Sequence, residues 1–270
     1  MSAAARYGVG HTAEPRGWTA AESWLPTLAL AVLVVALWEA TIRLFNVSSY
    51  IVPAPSAIVV AMIREAWPLA AAAVVTAKEI LVGFLAAAVV GIALALIVAR
   101  FRLFGRALYP LIVLFQNVPK VALAPIFILW FGYDLAPKVG LIVVIAFFPV
   151  TLSILTGIEA VEPSLIALMR SVGAGPNEIL IKIQMPHALP NLMAGLKIAA
   201  TFSVIGAIVG EFAGASAGLG YIIQFASTQL DTALVFAALV VVSVVGVGFY
   251  YLVEYFERLV VPWAPKFARS

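Results

Sequence analysis

Six apolar stretches, each about the length of a membrane-crossing helix, govern what this chain can fold into. A helix needs about 20 apolar residues to cross about 30 Å of hydrocarbon. The stretches run over residues 24–45, 76–99, 107–131, 138–158, 192–213 and 233–256, the third carrying Pro110, Pro119 and Pro125. In the bilayer core every backbone polar group must be satisfied within the protein, so such stretches fold as helices. Composition removes the soluble alternative. The chain is 64% hydrophobic and 11% charged, against about 25% charged in a soluble domain. Too few polar side chains remain to cover a water-facing surface. An ordinary soluble enzyme, a disordered chain and a nucleic-acid-binding domain are excluded, and the expected class is an all-α membrane protein with six transmembrane helices. Cysteine is absent, which excludes disulfides, thiolate chemistry and cysteine metal sites.

With six spans both termini share one side of the membrane. That side receives Arg6, Arg16, Arg100, Arg102, Arg106, Arg170, Lys182, Arg258, Lys266 and Arg269. The other holds Arg64 and Lys138, with Arg43 and Lys78 at helix ends. Basic residues are retained in the cytoplasm, so both termini are expected there. Trp18, Trp24, Trp67, Trp130 and Trp263 fall near the expected interfaces, as an aromatic belt would. The first span is long and follows a polar arm, so it reads as a retained span, not a cleaved signal. The organisation is a cytoplasmic arm (1–23), a transmembrane domain (24–256) and a cytoplasmic tail (257–270). The longest connections are residues 46–75 outside, with a short amphipathic helix expected over 57–67, and residues 159–190 inside.

The inner connection carries the most information. Pro163 suits a first helical turn, where its missing N–H costs nothing. A helix should run through Leu165, Ile166, Leu168 and Met169 to Val172, with Gly173 at a C-cap position that favours positive φ. Pro176 starts a second helix with Asn177 and Glu178 in its first turn, where a carboxylate complements the helix dipole. Pro186 and Pro190 are expected to stop it before the fifth span. A helix–turn–helix of this size is unusual in a compact bundle and suggests a docking element for a soluble partner.

This connection resembles the coupling motif of ABC-importer permease subunits: Glu-Ala-Ala, three residues, Gly, nine residues, Ile, one residue, Leu-Pro. Here Gly173 is followed at matching spacing by Ile183, Gln184, Met185 and Pro186, with Met in place of Leu. Ala167, Leu168 and Met169 stand at the Glu-Ala-Ala positions, so the Glu is missing. Other segments are similar to the nitrate, sulfonate, taurine and pyrimidine-precursor branch: Val52-Pro53-Ala54-Pro55-Ser56, Lys78 to Phe84, Pro119 to Gly132, and Gly218-Leu219-Gly220-Tyr221. The resemblance implies a type I ABC-importer permease fold in a bacterial inner membrane. It also implies a homodimer, two cytoplasmic ATPase subunits and an extracytoplasmic substrate-binding protein as partners. The coupling residues by this resemblance are Ala167, Arg170, Ser171, Gly173, Ala174, Pro176, Glu178, Ile183 and Pro186. The chain has no Gly-x-x-x-x-Gly-Lys-[Ser/Thr] loop and so no P-loop of its own. The resemblance implies a chain that is not itself an enzyme and carries no cofactor, ATP and Mg being bound by the partner subunits.

Further residues stand out within the spans. Lys120 follows Gln116, Asn117 and Pro119. Intramembrane ionisable groups usually face a cavity or a partner. Either these residues line a translocation pathway for an anionic or polar solute, or Lys120 pairs with a carbonyl freed by Pro119 or snorkels. Glu39 and Arg43, at i and i+4, should pair. Glu211, Gly218 and Gly220 are expected at the outer gate as contacts for the binding protein, the other reading of Glu211 being a solvated helix end. Gly206, Gly210, Gly214 and Gly218 recur every four residues, and the first two or three form a smooth ridge, either for intrachain packing or for a subunit interface. Gly214 to Gly218 matches the Ser-hydrolase elbow pattern, but a Ser216 nucleophile needs a base in reach. His11 and His187 are both expected on the opposite side. No His/Asp/Glu cluster has metal-ligand spacing. The rival reading is an ion- or proton-coupled carrier, which usually shows intramembrane relays and repeated halves. Neither is visible here.

Overall fold

The computed structural model describes residues 20–101, 114 and 118–263. Among these residues all regular structure is helical. The elements are α1 (Ala20–Leu44), α2 (Pro55–Arg64), α3 (Ala66–Arg100), a 3-10 turn (Lys120–Leu123) leading into α4 (Ala124–Phe131), and α5 (Leu135–Glu159). There follow α6 (Pro163–Ser171), α7 (Pro176–Ile179), a π turn (Leu180–Gln184), α8 (Met185–Phe212), α9 (Leu219–Thr228) and α10 (Thr232–Val260).

Five stretches are long and apolar enough to cross a membrane: Leu25–Leu44, Ala66–Arg100, Leu135–Glu159, the continuous helix Pro176–Phe212, and Thr232–Val260. The third expected span lies partly outside the described residues, over 107–113 and 115–117. Its described end is the 3-10 turn and α4, both within 119–131.

Three boundaries differ from expectation. The outer surface helix begins at Pro55 and ends at Arg64, and α3 starts at Ala66, well before residue 76. Glu65 breaks the two apart at φ −104 and ψ 24. Pro68 is tolerated because it sits in the first turn of α3, where its missing N–H has no intrahelical role. Lys78 therefore lies well inside α3, not at its end. The second difference is that Pro186 and Pro190 stop nothing. The π turn absorbs the offset, with the Met185 N–H bonded back to Leu180, and Pro186 falls in the first turn of α8. The third difference is α9, an amphipathic helix that lies outside every expected span. Its Leu219, Ile223 and Ala226 are buried at the i, i+4, i+7 spacing of one helical face.

The bundle is built around α5, packed between α3 and α8. Ile80 and Ala87 of α3, Ile142, Ala146, Val150 and Ile154 of α5, and Ala199 and Ala207 of α8 are buried to within 1% of complete. Lipid tails are as apolar as these side chains, so close van der Waals contact holds the helices together. Ile142 shows how: a Cβ placed at Gly83 would fall 2.5 Å from its Cδ1, and one at Gly206 would fall 3.0 Å from its Cα. Gly210 lies in the same way against Lys138. The inner part of the glycine ridge thus serves intrachain packing.

Around this centre the outer helices are loosely engaged. The apolar window of α1 is wholly unburied within the protomer, and that of α10 is 11% buried. Trp38 of α1 leans on Phe236 of α10 at 6.0 Å between ring centroids. Glu39 accepts from Arg43 Nε at 2.6 Å, as the spacing suggested, and also from the Ser56 hydroxyl at 2.8 Å. On the same side Arg64 Nη2 donates to Asp231 at 3.1 Å, tying α2 to the start of α10. Its hydrogen bonds to Glu65 and Asp231 push the guanidinium pKa above its ordinary value. Lys197 of α8 and Glu257 of α10 form a half-buried pair at 2.7 Å.

Candidate functional site

The connection over residues 159–190 is a helical hairpin whose turn is fixed by backbone bonds. Pro163 opens α6, which closes at Val172. Gly173 has φ +85, the left-handed value its position called for. Its N–H donates to the Arg170 carbonyl at 3.0 Å, and the Ala174 N–H donates to Met169 at 3.0 Å. This pair of bonds is a Schellman turn, which satisfies two carbonyls at the end of α6. Nothing lies within 4 Å of a Cβ built on Gly173. The demand for glycine there is conformational, not steric. Ser171 folds back on the Leu168 carbonyl at 2.7 Å.

Pro176 opens α7, and Glu178 accepts from the Gly175 N–H at 3.1 Å and from Lys182 Nζ at 2.9 Å. The chain then passes through the π turn into α8 without a break. Arg100 at the end of α3 donates to Asn177 Oδ1 at 2.7 Å, a cross-link that the sequence did not suggest. Ala167, Arg170, Ser171, Gly173, Pro176, Glu178 and Pro186 are exposed; Ala174 and Ile183 are half-buried. Leu168, Val172 and Ile181 present apolar surface to solvent, while Ile179 turns inward. Between α6, the end of α5 and the π turn lies an open cavity of about 360 Å³, lined among others by Glu159, Ile166, Ala167, Arg170 and Gln184.

The residues expected to line a pathway are only partly described. Gln116 and Asn117 lie outside the described residues. Lys120 stands half-buried at the start of the 3-10 turn behind Pro119. It has no hydrogen-bond or ion-pair partner among the described residues.

The outer group requires a correction. Glu211 is completely buried, and Gly218 and Gly220 are interior as well. They form no outer contact surface, and Glu211 is no solvated helix end. The reason is α9, which folds back over the end of α8. Glu211 Oε1 accepts from the Thr76 hydroxyl at 2.6 Å, and Oε2 accepts from the Gly220 N–H. The Leu219 N–H donates to Thr76 Oγ1 at 2.9 Å. Glu211 and Thr76 together therefore cap the first turn of α9, where backbone N–H groups lack intrahelical partners. Gly218 has φ +113, and a Cβ there would overlap the Glu211 carboxylate.

Beside this cap lies a pair the sequence reading missed. Glu79 of α3 is 4% exposed and Lys138 of α5 is 8% exposed, and they form a buried salt bridge. Lys138 had been counted as an outer-side charge, and Glu79 was hidden in an apolar run. The available signal was Thr76 and Glu79 at i and i+3, polar positions on one face of an otherwise apolar helix. Ser216 is exposed at this end of α8, while His187 sits at the other end. No base reaches the serine from there.

Comparison with known proteins agrees with this architecture. Residues 87–262 match the family described as binding-protein-dependent transport system inner membrane component. The chain is 35% identical over 242 residues to the formylaminopyrimidine transport permease protein ThiX of Halalkalibacterium halodurans, covering 89% of this chain and 96% of that protein. It is 30% identical over 242 residues to the putative aliphatic sulfonates transport permease protein SsuC of Bacillus subtilis, covering 89% and 88%. An inward-facing structure of the MetNI methionine ABC transporter has the same fold, with a TM-score of 0.64 at 18% identity over 73% of this chain and 97% of that one. Apolar membrane-crossing helices, a central three-helix core and a family match spanning most of the chain lead to one assignment: this protein belongs to the binding-protein-dependent transport system inner membrane component family, the permease subunits of ABC importers.

Proposed function

We propose that the hairpin from Glu162 to Pro186 is the coupling element through which this permease receives the work of ATP hydrolysis. The observation that carries the reading is the Schellman turn at Gly173 joined to an unbroken helix from Pro176 to Phe212. A turn held by two backbone bonds presents Leu168, Val172 and Ile181 on a rigid tip, and a partner gripping that tip moves α8 directly. The partners in this reading are a second copy of the chain, two cytoplasmic ATPase subunits that bind ATP and Mg, and an extracytoplasmic binding protein. Both termini lie in the cytoplasm of a bacterium.

Closure of the ATPase pair draws the two hairpins together, and the helical halves rock as rigid bodies from inward-facing to outward-facing. The binding protein then releases its solute into the opened cavity, and hydrolysis resets the cycle. The solute in this reading is small and polar or anionic. Formylaminopyrimidine and aliphatic sulfonates, named for the relatives, are the first to assay. Gln116, Asn117 and Lys120 line the route.

The test is Gly173→Val, which faces about 1–3 kcal/mol of strain at positive φ. Membrane insertion should survive. Copurification of the ATPase subunit at matched expression should fall, and transport should be lost. Normal association together with normal ATP-driven uptake would sink the coupling role. Lys120→Ala should lower uptake several-fold while the ATPase subunit still copurifies; uptake at the wild-type rate would remove Lys120 from the route.

A further inference from the structure

The outer polar cluster carries more negative charge than its surroundings can compensate. Four elements converge on it. Thr76 and Glu79 come from α3, Lys138 from α5, Glu211 from α8, and the Leu219 and Gly220 N–H groups from α9. All four residues are more than nine-tenths buried. With both carboxyls ionised, one Lys138 ammonium faces two negative charges, and one charge stays unbalanced in a low-dielectric interior. Such a charge is costly and is normally neutralised.

The hydrogen bonds say where neutralisation falls. Both Glu211 oxygens already accept from donors, the Thr76 hydroxyl and the Gly220 N–H. Glu79 Oε1 accepts from Lys138 Nζ. Glu79 Oε2 is buried and accepts from nothing, and Glu79 stands about one helical turn from Thr76, whose hydroxyl binds the Glu211 carboxylate. A buried acceptor without a donor, in a cluster with one cation for two carboxyls, lacks one hydrogen. We propose that Glu79 holds a proton on Oε2 and donates it to Glu211, so that the cluster is a buried proton-binding site of net charge zero. The proton completes the donor–acceptor count of the cluster. It also leaves Glu211 ionised, the state that suits its place at the start of α9.

Infrared spectroscopy at neutral pH on the transporter in an ester-free detergent, with the thermal midpoint of the permease measured alongside, provides the test. A protonated carboxyl absorbs above the amide band, where a carboxylate does not. The wild type should show this band and Glu79→Gln should lose it. Glu79→Gln should also keep the wild-type midpoint, because its amide donates to Glu211 as the acid does and its carbonyl still accepts from Lys138. Glu211→Gln should lower the midpoint, since one of two accepting oxygens becomes a donor facing other donors. The proposal is overturned if the wild type lacks the band, if the band survives in Glu79→Gln, or if Glu79→Gln falls as far in midpoint as Glu211→Gln.

Discussion

The two ends of this molecule reach their order by opposite means. At the hairpin end nearly every bond joins residues within five positions of one another: Gly173 to Arg170, Ala174 to Met169, Gly175 to Glu178, Lys182 to Glu178. At the outer end Thr76 reaches Glu211 across 135 positions and the Leu219 N–H across 143. The hairpin is exposed and its ion pair is wet, so its charges contribute little to stability. The outer cluster is dry, so each of its bonds must be matched. Shape at one end comes from backbone conformation; at the other it comes from the assembly of four helices. A segment that docks on a soluble partner, the role proposed for the hairpin, gains from holding its form without support. A segment that must keep helices together gains from depending on all of them.

Substitutions can break this contrast. The largest effect is expected for Lys138→Met, which strips the buried carboxyls of their cation. Breaking a buried pair from one side costs about 3–5 kcal/mol, so the yield of folded protein and its thermal midpoint in detergent should both collapse. A near-normal midpoint would mean that the cluster is not a structural joint. Gly218→Ala comes next. It combines positive φ with overlap on Glu211, and the conformational part alone costs about 1–3 kcal/mol. Limited proteolysis between α8 and α9 should speed up in this variant, and unchanged protection would show that α9 docks by other means. The smallest effect belongs to Glu178→Ala, which removes an exposed pair and one N-terminal acceptor. Its thermal midpoint should stay with the wild type. A clear fall would mean that the hairpin is braced by its charges and would erase the distinction.

The same contrast explains what could be read from the amino acids. The spans follow from length and apolarity, and five of the expected six match described helices with shifted ends. The hairpin was legible because Pro163, Gly173 and Pro176 act on their own neighbours. The start of α3 was missed because Pro68 was not weighed as a first-turn residue. The continuity of α7 with α8 was missed because Pro186 suggests a stop unless a π turn precedes it. Helix α9 left a signal in Leu219, Ile223 and Ala226 that the glycines around it obscured. The outer cluster could not be assembled from spacing alone. Glu79, Lys138 and Glu211 lie on three separate spans, and only helix packing brings them face to face.

One consequence of the π turn reaches the whole length of the permease. The helix from Pro176 to Phe212 has 37 residues, about 55 Å at 1.5 Å per residue, with the hairpin at one end and Glu211 near the other. Each residue in a helix advances the side-chain direction by about 100°. The azimuth of Asn177 relative to Glu211 is therefore set by a residue count, and Leu180–Gln184 is where that count departs from α-helical pitch. Removing a single residue there would leave both ends intact in themselves while rotating one against the other by roughly a quarter turn. Asn177 would swing away from Arg100, and the exposed tip would face a new direction. The phase of this one rod is thus a heritable setting of how the hairpin at one end faces relative to the helices packed at the other.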